Sequence, residues 1–148
     1  MQKSDYAQSA IATPDRAPSP NGSSQTKTML WTGRVVSALP VLMLLFSSAM
    51  KFSHAAPLVA LWTNRFGYPE SALVPIGLLE VACAIVFAVP RTSVLGAILI
   101  TGYLGGAVAT HVRVGDPFLI PVVLGALAWV GLYLRDERIR ALVPLLGR

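Results

Sequence analysis

Apolar residues along this chain gather into four long runs, at residues 30–52, 71–90, 92–110 and 117–134, of 23, 20, 19 and 18 residues. A helix of about 20 mostly apolar residues crosses the hydrocarbon core of a bilayer. The pattern therefore predicts an all-α, membrane-embedded four-helix bundle. A soluble helical protein would need a polar face on each run, and none of the four supplies one. The chain is 54% hydrophobic and 13% charged, against about 25% charged in a soluble domain.

The segments between the runs set the expected organisation. Residues 1–29 are rich in Ser, Ala, Gln and Pro and lack apolar periodicity, which predicts a disordered cytoplasmic tail. Ser47-Ser48-Ala49 resembles a small-residue cleavage site. The leader before the run is nearly thirty residues long, however, and the run continues past that point, so it reads as an uncleaved first helix. Pro40 is expected to kink it. In the longest connection, residues 57–66 begin with Pro57, carry Leu58, Val59, Leu61, Trp62 and Phe66, and stop at Gly67. This predicts a short interfacial helix lying on the membrane. Residues 89–92 read as a tight hairpin and residues 111–116 as a short polar connection, with Asp116 as the N-cap of the fourth helix. Residues 30–136 thus form one four-helix domain, followed by a basic cytoplasmic tail at 137–148.

Net charge is +5. The basic residues flank the spans, which points to membrane topology and away from nucleic acid as a partner. If the helices alternate in direction, Lys27, Arg34, Arg91, Arg135, Arg138 and Arg140 share one side, and Lys51, Arg65 and Arg113 the other. That six-to-three division places both termini in the cytoplasm. Trp31, Phe87 and Tyr133 fall at the inner interface, and Trp62, Phe66 and Tyr68 in the outer loop, as interfacial aromatics do.

Glu80 changes the picture most. It lies in an otherwise uncharged run of twenty residues, where an ionised side chain costs on the order of 2.5–3.5 kcal/mol on insertion scales. Such a group faces the protein interior and has a partner. Gly77 and Ala84 share its helix face, so that face is expected to pack on another helix. Lys51 ends the first run, and its long side chain can angle toward a carboxylate one or two turns deeper. Tyr103 lies near mid-membrane in the third run, and His111 and Arg113 lie at its outer end. Together Lys51, Glu80, Tyr103, His111 and Arg113 form a candidate polar pocket in the outer half of the bundle. Lys51 and Arg113 also fit ordinary interfacial anchors, and His111 fits a helix end. Gly102 and Gly106 make a GxxxG, expected to permit close helix approach within a compact bundle.

Familiar chemistries are missing from the sequence. The two histidines, His54 and His111, have no metal-ligand spacing. The single cysteine, Cys83, excludes an internal disulfide and a CxxC centre. No phosphate loop or dinucleotide fingerprint is present. These residues assign no catalytic role and do not decide whether the protein is an enzyme.

The run Gly77-Leu78-Leu79-Glu80-Val81-Ala82-Cys83, then Pro90-Arg91-Thr92, then the segment from Leu95 through "TGYLGGAVATHVR" to Arg113, resembles the DoxX-like family over about residues 30–140. Lys51-Phe52 at the end of the first span matches as well. The resemblance implies a small four-helix protein of the bacterial inner membrane. It also implies a membrane partner of redox enzymes, since the family takes its name from a subunit of thiosulfate–quinone oxidoreductase. Two readings follow. In the first, the protein is a redox-associated component whose outer pocket takes a quinone or another small amphipathic molecule, with Glu80 and His111 exchanging protons and a separate redox enzyme as partner. In the second, it is a non-enzymatic scaffold or assembly factor in which Lys51–Glu80 is a structural ion pair. A small transporter is a weaker third reading, since four helices would need to form a homo-oligomer and no inverted repeat is visible.

Overall fold

The computed structural model describes residues 27–142; the expected N-terminal tail up to residue 26, and residues 143–148, lie outside them. Helix α1 spans Lys27–Phe52, and α2 spans Ala56–Ala60 and widens into a π-helical turn at Leu61–Arg65. A 3₁₀ turn at Glu70–Ala72 leads into α3 (Leu73–Ala88). Helices α4 (Ser93–Val114), α5 (Leu119–Arg135) and α6 (Glu137–Leu142) follow. The four long helices form a ring in which α1 and α4 each pack against both α3 and α5. Neighbours run antiparallel. Residues 89–92 close the α3–α4 hairpin at one end of the bundle, beside the start of α1 and the end of α5. The α1–α3 connector crosses the other end.

Helices α1 and α4, and α3 with its leading 3₁₀ turn, are long and apolar enough to cross a membrane. Helix α5 is a shorter apolar helix of 17 residues, or about 25 Å at helical rise. The outer surface is largely apolar, and several polar side chains join the apolar core. Trp31, Val35, Leu42, Phe46, Leu78, Ile98, Leu119 and Ile120 face outward, while Ser37, Ser48, Lys51, Glu80 and Ser93 are buried. Apolar residues outward and polar residues inward is the arrangement that hydrocarbon surroundings favour.

Small residues set how closely the helices approach. On α1 the buried positions Gly33, Ser37, Pro40, Leu44, Ser48 and Lys51 recur at three- and four-residue steps, one stripe of a helix. At the hairpin end a Cβ on Gly131 would lie 2.4 Å from Ser37 Oγ and 2.8 Å from its backbone nitrogen. A Cβ on Gly96 would lie 2.3 Å from the backbone of Phe87. Gly102 and Gly106 behave otherwise. A Cβ on either meets nothing within 4 Å, and both are exposed. The GxxxG of α4 is therefore turned away from this bundle, and the close crossings are made by Gly33, Gly131 and Gly96 instead.

The connections differ from expectation in two places. Helix α4 continues through His111 to Val114 and stops where Gly115 adopts a left-handed φ of 73°, a conformation that glycine takes without steric cost. Asp116 does not cap α5, whose N-cap is Phe118 with no side-chain hydrogen bond; the carboxylate pairs with Arg65 instead. Residues 137–142 form α6, whose Ile139 is buried and whose Arg140 donates to Met29 Sδ at 2.9 Å.

Replacing Gly96 by Ala must push α4 off the Phe87 backbone and is expected to cost about 1–3 kcal/mol, as overpacking does. Gly102→Ala should be neutral or slightly stabilising. Thermal unfolding of the two variants side by side measures the difference.

Candidate functional site

Glu80 sits on the buried face of α3 between Gly77 and Ala84 and is 2% exposed. Lys51, in the last turn of α1, is 6% exposed. Its ammonium lies 3.1 Å from each oxygen of the Glu80 carboxylate. The contact follows from antiparallel packing, which brings the end of α1 beside the first half of α3. Gly77 makes room for it, since the Phe52 ring lies against that glycine. Ser47, one turn before Lys51, accepts from Lys51 Nζ at 2.7 Å and donates to Glu80 Oε1 at 2.9 Å. From α4, the Tyr103 hydroxyl donates to the same carboxylate oxygen. Lys51 thus directs its donors at Ser47 Oγ and both carboxylate oxygens, and Glu80 gathers donors from three helix positions. The group is closed: the long-range charge pair and both hydroxyls bind one another.

Above this pair lies a cover built from the connector. The π turn brings Trp62 inward until Lys51 Nζ lies 5.5 Å from its ring centroid, within cation–π range. Trp62 is 8% exposed and packs on Phe66 and Tyr68, with centroids 5.8 and 5.5 Å away. Its Nε1 is buried without a hydrogen-bond partner among the described residues. The short helix expected over residues 57–66 is present as α2 and the π turn, and its aromatics Trp62 and Phe66 are buried with Leu73 against the end of the bundle.

His111 and Arg113 belong to this cover. His111 Nδ1 donates to Ala107 O at 2.8 Å, and its ring lies 5.7 Å from Phe66. Arg113 donates to the Phe66 carbonyl and stands 5.2 Å over the Tyr68 ring. Tyr68 and Thr110 share a hydrogen bond of 3.0 Å. Farther out, Arg65 binds Asp116 through both carboxylate oxygens. The five sequence-derived residues therefore divide into two groups. Lys51, Glu80 and Tyr103 meet in the buried cluster, while His111 and Arg113 hold the connector down. Sequence reasoning did not select Ser47, although its place one turn before Lys51 on the same helix was a usable signal. Trp62 was read only as an interfacial aromatic, because the π turn that swings it over Lys51 leaves no mark in the residue pattern.

A groove of about 320 Å³ lies elsewhere, between α4 and α5, lined by Thr101, Leu104, Gly105, Pro121, Gly125 and Trp129. Its lining is apolar, and none of the buried cluster reaches it. No group of three or more His, Cys, Asp or Glu residues is placed to hold a metal ion among the described residues.

Residues 35–131 match the family model described as the DoxX-like family. That match covers all four long helices in part or whole, both members of the ion pair, and the connector. The chain belongs to the DoxX-like family. No curated protein and no solved structure matches it. Family membership and the outward-facing apolar helices together describe a DoxX-like membrane protein. Within the matched region the buried cluster is the densest polar contact, and the cover lies over it.

The Asp116 carboxyl is held below its ordinary value near 3.8, chiefly by the hydrogen bond from Arg65 and further by that residue's charge. A carboxylate depressed in the folded state stabilises that state above its unfolded value, and the contribution is lost as pH falls through the folded value. The cover is therefore expected to hold at neutral pH and to loosen only below about pH 3.8. In Asp116→Asn it should be looser at neutral pH and should lose that acid step. Trp62 emission in a Trp31→Phe/Trp129→Phe background, followed from pH 7 to pH 2, reads both.

Proposed function

We propose that this DoxX-like protein is a non-enzymatic scaffold or assembly factor of the bacterial inner membrane, with Lys51–Glu80 as a structural ion pair. The observation that carries the reading is the closure of the buried cluster. Lys51 places its donors on Ser47 and on both oxygens of Glu80, and Tyr103 donates to that carboxylate as well. A ligand entering here would have to break contacts that the cluster makes with itself. The placement of His111 and Arg113 supports the same reading. A proton-exchanging pocket would draw on His111 beside Glu80, and instead His111 binds Ala107 while Arg113 binds the Phe66 carbonyl. The membrane orientation that fits best has both termini cytoplasmic, with six basic residues at the hairpin end and three at the connector end. In that orientation the connector and its cover face the periplasm.

Removing one partner of a buried ion pair leaves an uncompensated charge and costs about 3–5 kcal/mol, whereas replacing both with apolar residues is often close to neutral. Lys51→Met and Glu80→Gln are each expected to lower the melting temperature strongly. The double variant Lys51→Met/Glu80→Leu should regain most of that loss. A short-chain ubiquinone should leave the wild-type melting temperature unchanged. Saturable stabilisation by the quinone, absent in Glu80→Gln, would replace this reading with the redox-linked one.

A further inference from the structure

Charge divides unevenly between the two ends of the bundle. At the connector end Lys51, Arg65 and Arg113 are balanced by Glu70, Glu80 and Asp116, and two of those acids are paired. At the hairpin end, among the described residues, Lys27, Arg34, Arg91, Arg135, Arg138 and Arg140 face only Asp136 and Glu137, a net of +4. Arg140 pairs with Glu137 at 3.5 Å, and Arg135 is committed to the Phe87 carbonyl and ring. Among the described residues no acid forms a salt bridge with Lys27, Arg34, Arg91 or Arg138.

Two of these unmatched cations stand on one line of α1. Lys27, Trp31, Arg34, Ala38, Leu42 and Leu45 follow one another in steps of four, three, four, four and three residues, and all six are exposed. That spacing keeps them on a single helix face. Trp31 is 64% exposed and Leu42 61%. The Arg34 guanidinium lies 5.5 Å from the Trp31 ring centroid. The face thus begins with two cations either side of an aromatic of the kind that sits at headgroup level, and continues as a bare apolar track. From Arg34 to Leu45 the track is about 16 Å long, close to half the thickness of a hydrocarbon core. Its order and length match one phospholipid molecule: a negative phosphate at the cations and an acyl chain along Ala38, Leu42 and Leu45.

We propose that this face of α1 is a binding site for a single acidic phospholipid. Lys27 and Arg34 take the headgroup, Trp31 sets its depth, and the apolar track carries the chain. A net negative headgroup is selected because a zwitterionic one places its own cation beside Lys27 and Arg34. The site is independent of whether the buried cluster is structural or binds a ligand.

Native mass spectrometry of the detergent-released protein with added phosphatidylglycerol or phosphatidylcholine tests the site. One phosphatidylglycerol should be retained, and phosphatidylcholine much more weakly. Lys27→Gln/Arg34→Gln should weaken retention on the order of tenfold or more, because each basic residue near the headgroup adds a comparable electrostatic attraction. Arg91→Gln/Arg138→Gln, at the same end of the bundle but in the α3–α4 hairpin and α6 rather than on α1, should retain the lipid as wild type does. Arg34→Lys keeps the charge and should keep the lipid, which separates headgroup binding from a folding defect. Equal retention of the two lipids, or equal losses in the two double variants, would overturn the proposal in favour of diffuse attraction to the whole basic end.

Discussion

A carboxylate buried among apolar helices needs a counter-charge within reach, and in this protein Lys51 is the residue that meets Glu80. The pairing constrains more than two side chains. It fixes the register of α1 against α3, since one turn of sliding would displace the ammonium by about 5.4 Å and break the contact. Tyr103 extends the same constraint to α4, and Ser47 completes it from α1. Three of the four long helices thus converge on one carboxylate. The connector then covers the pair, with Trp62 over the ammonium and the Phe66 and Tyr68 rings beside Trp62.

The remainder of the bundle is held by close approach. Large apolar residues point outward, where a membrane supplies their surroundings, and the interior is built from Gly, Ala, Ser and Pro alongside a few large residues such as Phe87, Ile100 and Leu132. In hydrocarbon, burying a leucine between helices gains little over leaving it against lipid, so contact depends on fit between small residues and on internal hydrogen bonds. The crossing of α1 and α5 at Gly33, Ser37 and Gly131 shows the first, and the Glu80 cluster the second. The two ends of the molecule diverge accordingly. The connector end is electrically balanced and tied by paired side chains, and the hairpin end carries a surplus of cations that no acid among the described residues matches.

A closed polar cluster is well suited to specifying one arrangement of helices. The buried polar groups of Lys51, Glu80, Tyr103 and Ser47 engage one another, and the residues with more accessible polar groups, Arg65 and Asp116, engage across the cover. The cover is therefore itself a folded layer, with the carbonyl of Phe66 held by Arg113 and the hydroxyl of Tyr68 by Thr110.

Sequence alone determined the helical class, the number and limits of the long helices to within a few residues, the tight 89–92 hairpin, and the family. These follow from run length and composition, which are local properties. It also singled out Glu80, because a charge in an apolar run is visible without knowing what it meets. Tertiary structure decided the rest. His111 and Arg113 share the end of α4 with Thr110, and only the fold of the connector shows that they bind its backbone and rings rather than the carboxylate. Asp116 has the form of a helix cap, yet Arg65, fifty-one residues earlier, takes its carboxylate. The GxxxG of α4 has the form of a packing motif, yet the rotation of α4 that points Tyr103 at Glu80 turns those glycines outward. Each outcome depends on which residues distant in sequence arrive at the same place, and a one-dimensional pattern carries helix faces but not the rotation and register of one helix against the next.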